Sequence, residues 1–521
     1  AIQDQLNRAP IAPLAEGPTG GTLPIASKRA GTLLGFDVAG NWTTTAQTAT
    51  LSQSVTVGTI ATLKAIATPV AGVVYVVSGY YGSGDGGGGS FYWNVSDVTT
   101  DNGGTIIQLN VGGVGRWNRI FEGAVNVRWF GAKGDGVTND VTSIQAAITC
   151  AVTLRAPVRI PASTYKINTG LSLDVAKCGI IGEQAIIDAS GMTTGIALAL
   201  TNSITPAYYQ GDISIEGLRF IGPGIGSSVD CISGNATQPS VSRTRISSVM
   251  GYNFRRGVVL SDHTWGLNFF ACEFWNCADC VYAPGGLTDG GERHTFVGCL
   301  FYNSTRGFYQ GYNAGSIYFT NCSFDYNGKQ GQLDEGKVSL IGCHIEATNY
   351  ATEGFTIGAG VSGGVLLEII GGWIQTTGAN VNPLINNSGN VHIDGPFINN
   401  MGSATNLITG TGRVIWNGNY SYTIHNNPPY VAASLVSLMD GGFEGTSILD
   451  AFISSDTAAI TSRITGANLA LTTSATQART GSVRQLWLGA NRAIWGRSYY
   501  HAVVYNWLHY GYAYRSSYRM G

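Results

Sequence analysis

The chain is short of charge. Only 12% of its 521 residues are Asp, Glu, Lys or Arg, the formal net charge is −2, and no basic block occurs anywhere. This argues against nucleic acid as the main partner, because phosphate binding needs clustered Lys and Arg. No apolar run reaches membrane-spanning length, and the first residues, AIQDQLNRAP, do not read as a signal peptide, so no membrane association is expected. Cysteine is odd in number, nine residues scattered along a long chain. A disulfide framework is therefore not expected, and a reducing folding compartment is. Cys277-Ala-Asp-Cys280 lacks a second pair at zinc-ribbon spacing, and Glu292-Arg293-His294 lacks metal-ligand spacing, so neither a metal nor another cofactor is expected.

What is abundant is turn and strand. Glycine accounts for 73 residues, about one in seven and twice the usual share. Aromatics at 10% exclude a disordered chain. High Gly with many Thr, Ser, Asn and Val points to an all-β protein, and the length to several domains. Residues 1–50, rich in Pro, Gly and Thr, read as an extended linker or attachment arm. Residues 51–123 read as a small β domain: GVVYVVSGYY, FYWNV, GTIIQLNV and GRWNRIFEG, with GSGDGGGGS as a flexible hairpin loop. That Gly run lacks the GK[ST] ending of a phosphate cradle. In NVRWFGAKGDGVTND, from Asn126, Val127, Trp129 and Phe130 are strand-like. Gly131, Gly134 and Gly136 then break the chain, and Thr138 or Asp140 can N-cap a helix near 141–151. Ile144, Ala147, Ile148 and Ala151 give that helix one apolar face.

From Ile215 onward a three-column pattern recurs. The first column reads Ile215, Val249, Phe269, Phe296, Phe319, Leu340, Ile369, Ile393. The second reads Leu218, Tyr252, Cys272, Cys299, Cys322, Cys343, Gly372, Pro396, and the third Phe220, Phe254, Phe274, Phe301, Phe324, Ile345, Ile374, Ile398. Second-column positions are spaced by 34, 20, 27, 23, 21, 29 and 24 residues. A repeat of this length with strand composition and no helical spacer predicts a solenoid. The step of two is strand alternation, and the step of three a corner, so each rung is one coil of a parallel β-helix. Like residues then stack about 4.8 Å apart. Four Cys in one column form a buried stack of small apolar residues. The helix near 141–151 would cap the open first coil, which otherwise invites edge pairing.

NVRWFGAKGDGVTNDVTSIQAAI…VRIPASTYKI resembles the start of the pectate-lyase-like β-helix of bacteriophage tailspikes, and the preceding YVVSGYYGSGDGGGGSFYWNV…GRWNRIFEG resembles the small domain ahead of it. The resemblance covers 51–170 by motif and 171–425 by rung pattern. It implies a right-handed parallel β-helix over 124–425 and a homotrimer mounted on a phage tail or baseplate through its N-terminus. It further implies a virion protein that acts at the bacterial surface and cleaves capsular polysaccharide or O-antigen. The family's catalytic positions vary, so none carries over by motif. Residues 426–521 match no named family and read as a C-terminal β domain for trimerisation or carbohydrate binding.

Positions three after the second column should face outward: Ile221, Arg255, Trp275, Tyr302, Asp325, Glu346, Gln375, Asn399. Trp275 and Tyr302 offer rings to sugars, and Asp325 and Glu346, on adjacent rungs, form a carboxylate pair of the kind glycosidases use. Further catalytic candidates are Glu292, on the Gly-rich turn TDGGERHTF, and Glu273, beside Trp275. Asp289, Arg293, His294, His344 and Arg255 are candidate substrate contacts, and His263 and Trp265 lie on a loop that could reach sugar. The bland alternatives are solvated acids for the first group and structural ion pairs for the arginines. The leading expectation is an endo-glycosidase. A polysaccharide lyase would instead need a base and a cation, drawn from Arg255, Arg293, His294 and His344. A non-catalytic receptor-binding adhesin is the third reading. An esterase is not indicated, because no Ser-His-Asp constellation stands out.

Overall fold

The computed structural model describes residues 54–417 except 205–212, 235–238, 348–351, 361–363, 377–381 and 400–405. It also describes the strands Thr32–Phe36, Trp42–Ala46, Tyr430–Val431, Leu435–Met439, Gln485–Trp487 and Trp495–Arg497. The expectations for 1–31 and for most of 426–521 fall outside these residues.

Residues 54–120 form a five-stranded sheet in which Ser54–Thr59 runs parallel to Val74–Gly79 and the remaining neighbours are antiparallel. Phe91, Trp117, Val77 and Leu63 fill its core. The Gly-rich loop is not a loose hairpin. The Asp85 carboxylate accepts the backbone N–H groups of Tyr80, Tyr81, Gly82 and Gly87. The buried Arg119 guanidinium donates to the carbonyls of Gly87, Gly88 and Gly104. Arg128, from the next domain, donates to the Asp85 carbonyl. Bare backbone is needed because a Cβ on Gly87 would lie 2.6 Å from the Arg128 carbonyl.

The rest is a parallel β-helix, as the rung pattern predicts. Most coils supply two strands to a 22-stranded sheet, one on either side of a bend, and one strand to an 11-stranded sheet; Ile180–Asp188, Ser214–Ile221, Arg413–Asn417 and Leu435–Met439 each supply a single strand to the larger sheet. One such coil is Asn268–Phe270, Glu273–Trp275 and Asp279–Ala283. Phe269, Phe296, Phe319, Leu340, Ile369 and Ile393 stand in register, as do Phe274, Phe301, Phe324, Ile345, Ile374 and Ile398. Backbone pairing continues past residue 425, where Leu435–Met439 runs parallel to Arg413–Asn417.

One rung departs from the expected register. Ile215 is opposite Ile246, not Val249, and Ile221 is opposite Tyr252, not Arg255. The rung therefore begins three residues earlier, and its third-column residue is Gly251, which is opposite Phe274. A Cβ there would lie 2.9 Å from Cys231 Sγ and 3.0 Å from the Phe274 ring, so larger neighbours fill the space. A search for a large apolar residue passes over this glycine to Phe254.

The step of three is a one-residue corner. Ser248, Ala271, Gly298, Asn321, Gly342, Gly371 and Gly395 hold it at φ between 48° and 62°. The bend interrupts the strand hydrogen bonding, and the cysteines bridge it. The Cys322 thiol donates to the Phe296 carbonyl at 3.3 Å and Cys343 to Phe319 at 3.3 Å. The Cys272 and Cys299 amides donate to the next thiol, each at 3.4 Å. The thiols thus satisfy main-chain groups that a purely apolar residue would leave bare. All nine cysteines are free and buried.

At the first coil the chain runs Val125–Asn126, then a 3-10 turn over Val127–Phe130 where a strand was expected, then Asp135–Asn139. The helix spans Val141–Leu154, longer than expected, because Arg155 ends it in the left-handed region. Asp140 is its N-cap by position only: its carboxylate accepts the amides of Lys133 and Gly134 instead. Ile144, Ala147, Ile148 and Ala151 face the core, as the periodicity requires. Gln145 donates to the Ser172 carbonyl at 3.0 Å and accepts its amide at 2.8 Å, pairing with Leu171–Asp174, the end strand of the 11-stranded sheet. The helix therefore covers the core and its amide side chain occupies the open edge.

Cys322→Ala should lower the unfolding free energy by about 1–3 kcal/mol, since it strips the buried Cys299 amide of its thiol acceptor. Thermal or denaturant unfolding checks this; an unchanged midpoint would leave the thiol as filler only.

Candidate functional site

Strand alternation puts two outward columns on the face after the corner. One runs Met250, Glu273, Leu300, Ser323, His344, Trp373, and the other Tyr252, Trp275, Tyr302, Asp325, Glu346, Gln375. Ser323–Phe324–Asp325 and His344–Ile345–Glu346 therefore form a two-by-two patch, with Asp325 directly opposite Glu346 and Ser323 opposite His344.

Within the patch Ser323 Oγ donates to both Asp325 oxygens at 2.9 and 2.8 Å. His344 Nδ1 lies 3.3 Å from Asp325 Oδ1 and 3.1 Å from Ser323 Oγ. The Tyr326 hydroxyl donates to Glu346 Oε1 at 2.9 Å. One donor atom each of Asp325, His344 and Glu346 lies within 4.8 Å of the others, so the carboxylates approach to less than 5 Å. Among the described residues no Lys or Arg pairs with either acid. Burial pushes the Asp325 carboxyl above its ordinary range, and the bonds from Ser323 and the field of His344 offset this only in part. Glu368, on the neighbouring face, shows what a cation does. Burial raises its carboxyl too, but Lys337 at 2.8 Å and the Ser339 hydroxyl more than reverse the shift.

Ser, His and Asp do meet here, contrary to the sequence reading, but not as a nucleophilic triad. A relay needs the serine and the aspartate on opposite ring nitrogens. Here both lie against Nδ1, and the serine donates directly to the carboxylate.

The aromatic column is stacked on itself. Tyr252 and Trp275 lie 4.8 Å apart at 11°, Trp275 and Tyr302 5.5 Å apart at 4°. Their faces cover one another and their edges look outward. Flat stacking of a sugar on Trp275, as expected from sequence, would have to open that stack. Trp373 suits this role better: it is 45% exposed, next to the patch, with its ring edge-on to His344 at 6.1 Å. Glu273, in the neighbouring outward column, accepts a short hydrogen bond from the Tyr302 hydroxyl and is tied to the aromatic stack rather than to the carboxylate pair.

The remaining candidates lie elsewhere. Arg255 is not in the outward strip: it makes a bidentate pair with Asp230 at 2.8 and 2.6 Å, the structural role, while Arg256 stacks on Tyr282 at 3.5 Å. His294 is fully buried, its Nδ1 accepting the Leu267 amide and burial driving its pKa down to about 4, so it cannot touch a polymer. Its place at the start of His294–Val297 alternates inward with Phe296, a signal the sequence carried. Glu292 and Arg293 are exposed at the corner preceding that strand, and Asp289 is exposed beside His263, 3.3 Å from its Nδ1. The Arg293 amide meets Ser316 Oγ, and Asp325 lies nine residues further along that coil, beyond the bend. The structure therefore does not bring Glu292, Asp289, Arg293 or His294 together with Asp325 and Glu346. Residues missed from sequence are Ser323, Tyr326 and Trp373. Alternation alone places Ser323 and Trp373 on the outward face.

Residues 56–122 match the phage tail protein small four-stranded β-sheet domain, and residues 124–334 the rhamnogalacturonase A/epimerase, pectate lyase-like family. The chain is 26% identical over 314 residues to a capsule K2-specific depolymerase of Klebsiella phage vB_KpnP_KpV74, covering 57% of this chain and 54% of that protein. It is 26% identical over 250 residues to a 65.4 kDa protein of the Klebsiella pneumoniae cps region, covering 46% and 42%. The chain thus spans about half the length of these curated relatives. Its fold is similar to the enzymatically active domain of bacteriophage CBA120 tailspike protein 4, with TM-score 0.59, 20% identity, and 76% of this chain and 59% of that one covered. It is also similar to the tailspike of Acinetobacter phage vB_ApiP_P1, with TM-score 0.52, 15% identity, and 71% and 70% covered.

The raised Asp325 carboxyl has a thermodynamic consequence. The folded state holds this proton more tightly than the unfolded chain, whose value is near the ordinary 3.8. The contribution to stability is present below that value and is lost as pH rises through the folded one. Asp325→Asn, neutral throughout, should melt above the parent protein at pH 7, and the gain should shrink as pH falls towards 4. A gain independent of pH would refute the buried-acid assignment.

Proposed function

We propose that the chain is a phage tailspike built on a pectate-lyase-like β-helix, and that it depolymerises bacterial surface polysaccharide by endo-glycosidic hydrolysis at Asp325 and Glu346. One observation carries the reading: two carboxylates opposite one another on adjacent rungs, less than 5 Å apart, with no Lys or Arg paired to either among the described residues, and Asp325 shifted towards its protonated form. Similarity to a K2-specific capsule depolymerase supports capsular polysaccharide or O-antigen as the substrate class.

Asp325 is the acid. Its proton passes to the glycosidic oxygen as the bond to the anomeric carbon breaks, and the leaving chain departs as an alcohol. Glu346 attacks the anomeric carbon, the role that a separation near 5 Å favours over activation of an interposed water. Asp325, now ionised, takes a proton from water, the hydroxide displaces Glu346, and both carboxyls return to their starting states. Ser323 holds Asp325 in place, and Trp373 offers a ring to a neighbouring sugar. We further propose that the chain acts as a homotrimer carried on the tail through its N-terminal residues.

Lyase action is the second reading, favoured by His344 as a base at the same patch. Among the described residues no Lys or Arg pairs with the patch to serve as the cation of β-elimination: Arg255 is committed to Asp230, and Arg293 lies at another corner. An ultraviolet-absorbing unsaturated product would decide for it.

Asp325→Asn and Glu346→Gln should each reduce depolymerisation by roughly 10²–10⁴-fold with the oligomer intact. Sizing K2 and other purified capsular polysaccharides after incubation, with light scattering on the protein, measures both. Full activity in both variants would place the site elsewhere, and unchanged polymer length with the parent protein on every bound polysaccharide would make it an adhesin.

A further inference from the structure

The corner that follows the outward strip repeats along the helix, and it is built for asparagine. Asn253, Asn276 and Asn303 occupy it at φ 64°, 48° and 50°. Each lies one residue past Tyr252, Trp275 or Tyr302, and the Asn276 side chain donates to that of Asn253. Asparagine tolerates the left-handed region because its short polar side chain bonds locally. The backbone hydrogen bond is the same from rung to rung: the Asn276 amide donates to the Tyr302 carbonyl at 3.3 Å, and the Asn303 amide to the Asp325 carbonyl at 3.1 Å.

The next corner keeps this backbone and changes the residue. The Tyr326 amide donates to the Glu346 carbonyl at 3.1 Å, and its φ is 55°. A bulky aromatic residue in the left-handed region is a genuine outlier, and such strain persists where the surroundings impose it. Burial does not explain the choice, since Tyr326 is 52% exposed. It is the one Phe, Tyr or Trp among the described non-glycine residues with positive φ. Among the described residues, the one hydrogen bond of its side chain is the 2.9 Å bond to Glu346 Oε1. The asparagine series is broken where the corner abuts the carboxylate pair.

We propose that Tyr326 is a positioning residue for Glu346: the corner accepts a strained tyrosine so that its hydroxyl fixes one carboxylate oxygen and presents the other to the sugar. The inference rests on the assignment of Asp325 and Glu346 as the reacting pair. Tyr326 acts through Glu346 and takes no part in proton transfer. From this corner the Tyr326 hydroxyl reaches the following rung and donates to Glu346 Oε1.

Two variants separate position from fold. Tyr326→Asn restores the residue the corner favours, and Tyr326→Phe removes only the hydroxyl. Tyr326→Asn should raise the melting temperature, which needs no substrate to measure. A lowered melting temperature would make the tyrosine structural and overturn the proposal. On whichever purified polysaccharide of a panel beginning with K2 is cut, both variants should lower kcat about ten- to a hundredfold with KM within about twofold. Tyr326→Phe in the Glu346→Gln background should add no further loss. If Glu346→Gln is inactive and Tyr326→Phe retains full kcat, the proposal fails and the carboxylate pair stands. If Glu346→Gln is itself active, the pair falls and the proposal with it.

Discussion

The structure depends on vertical register. Parallel strands place each residue directly beneath its counterpart one coil away, about 4.8 Å from it. Any property of one rung is therefore an environment for the next. Phe296 lies between Phe269 and Phe319, and Arg256 between Asp230 and Asp279. Register of this kind is kept only if every coil turns its corners identically, and the one-residue bends at Ser248, Ala271, Gly298 and Asn321 do so. The cysteine column has the same origin: a left-handed corner exposes carbonyls, and a thiol is small enough to stack and polar enough to reach them.

Register also creates the chemistry. Two acids in successive rungs of a solvated column would normally be avoided or bridged by a cation. Elsewhere single acids are paired with a cation, Glu368 with Lys337 and Asp230 with Arg255. Asp325 and Glu346 are the exception, and their neighbours are a serine, a histidine and two tyrosines rather than a lysine or arginine. Desolvation then acts on Asp325 with only Ser323 and His344 opposing it, and the carboxyl is held above its ordinary range.

Much of this was legible in the chain because apolar size alternates with strand period. The columns from Phe269 onward, the capping helix and the pairing of Asp325 with Glu346 all follow from spacing. The failures have physical causes. Gly251 breaks the size rule because Phe274 and Cys231 fill its place, which displaced Arg255 into the strip and hid Tyr252. The partner of Arg255 lies 25 residues away on another strand, beyond any local pattern. His294 looked accessible on a Gly-rich turn, yet the turn ends one residue earlier and strand alternation buries it. Backbone strain at Tyr326 leaves no compositional trace until three asparagines are aligned above it.

The separation of inward from outward residues along each short strand leaves the exposed columns nearly independent of the forces that hold the coils together. Ser323, Asp325, His344 and Glu346 could each be exchanged without touching Phe324 or Ile345 beneath them. A scaffold of this kind lets its exposed face be altered one side chain at a time while the spine stays fixed.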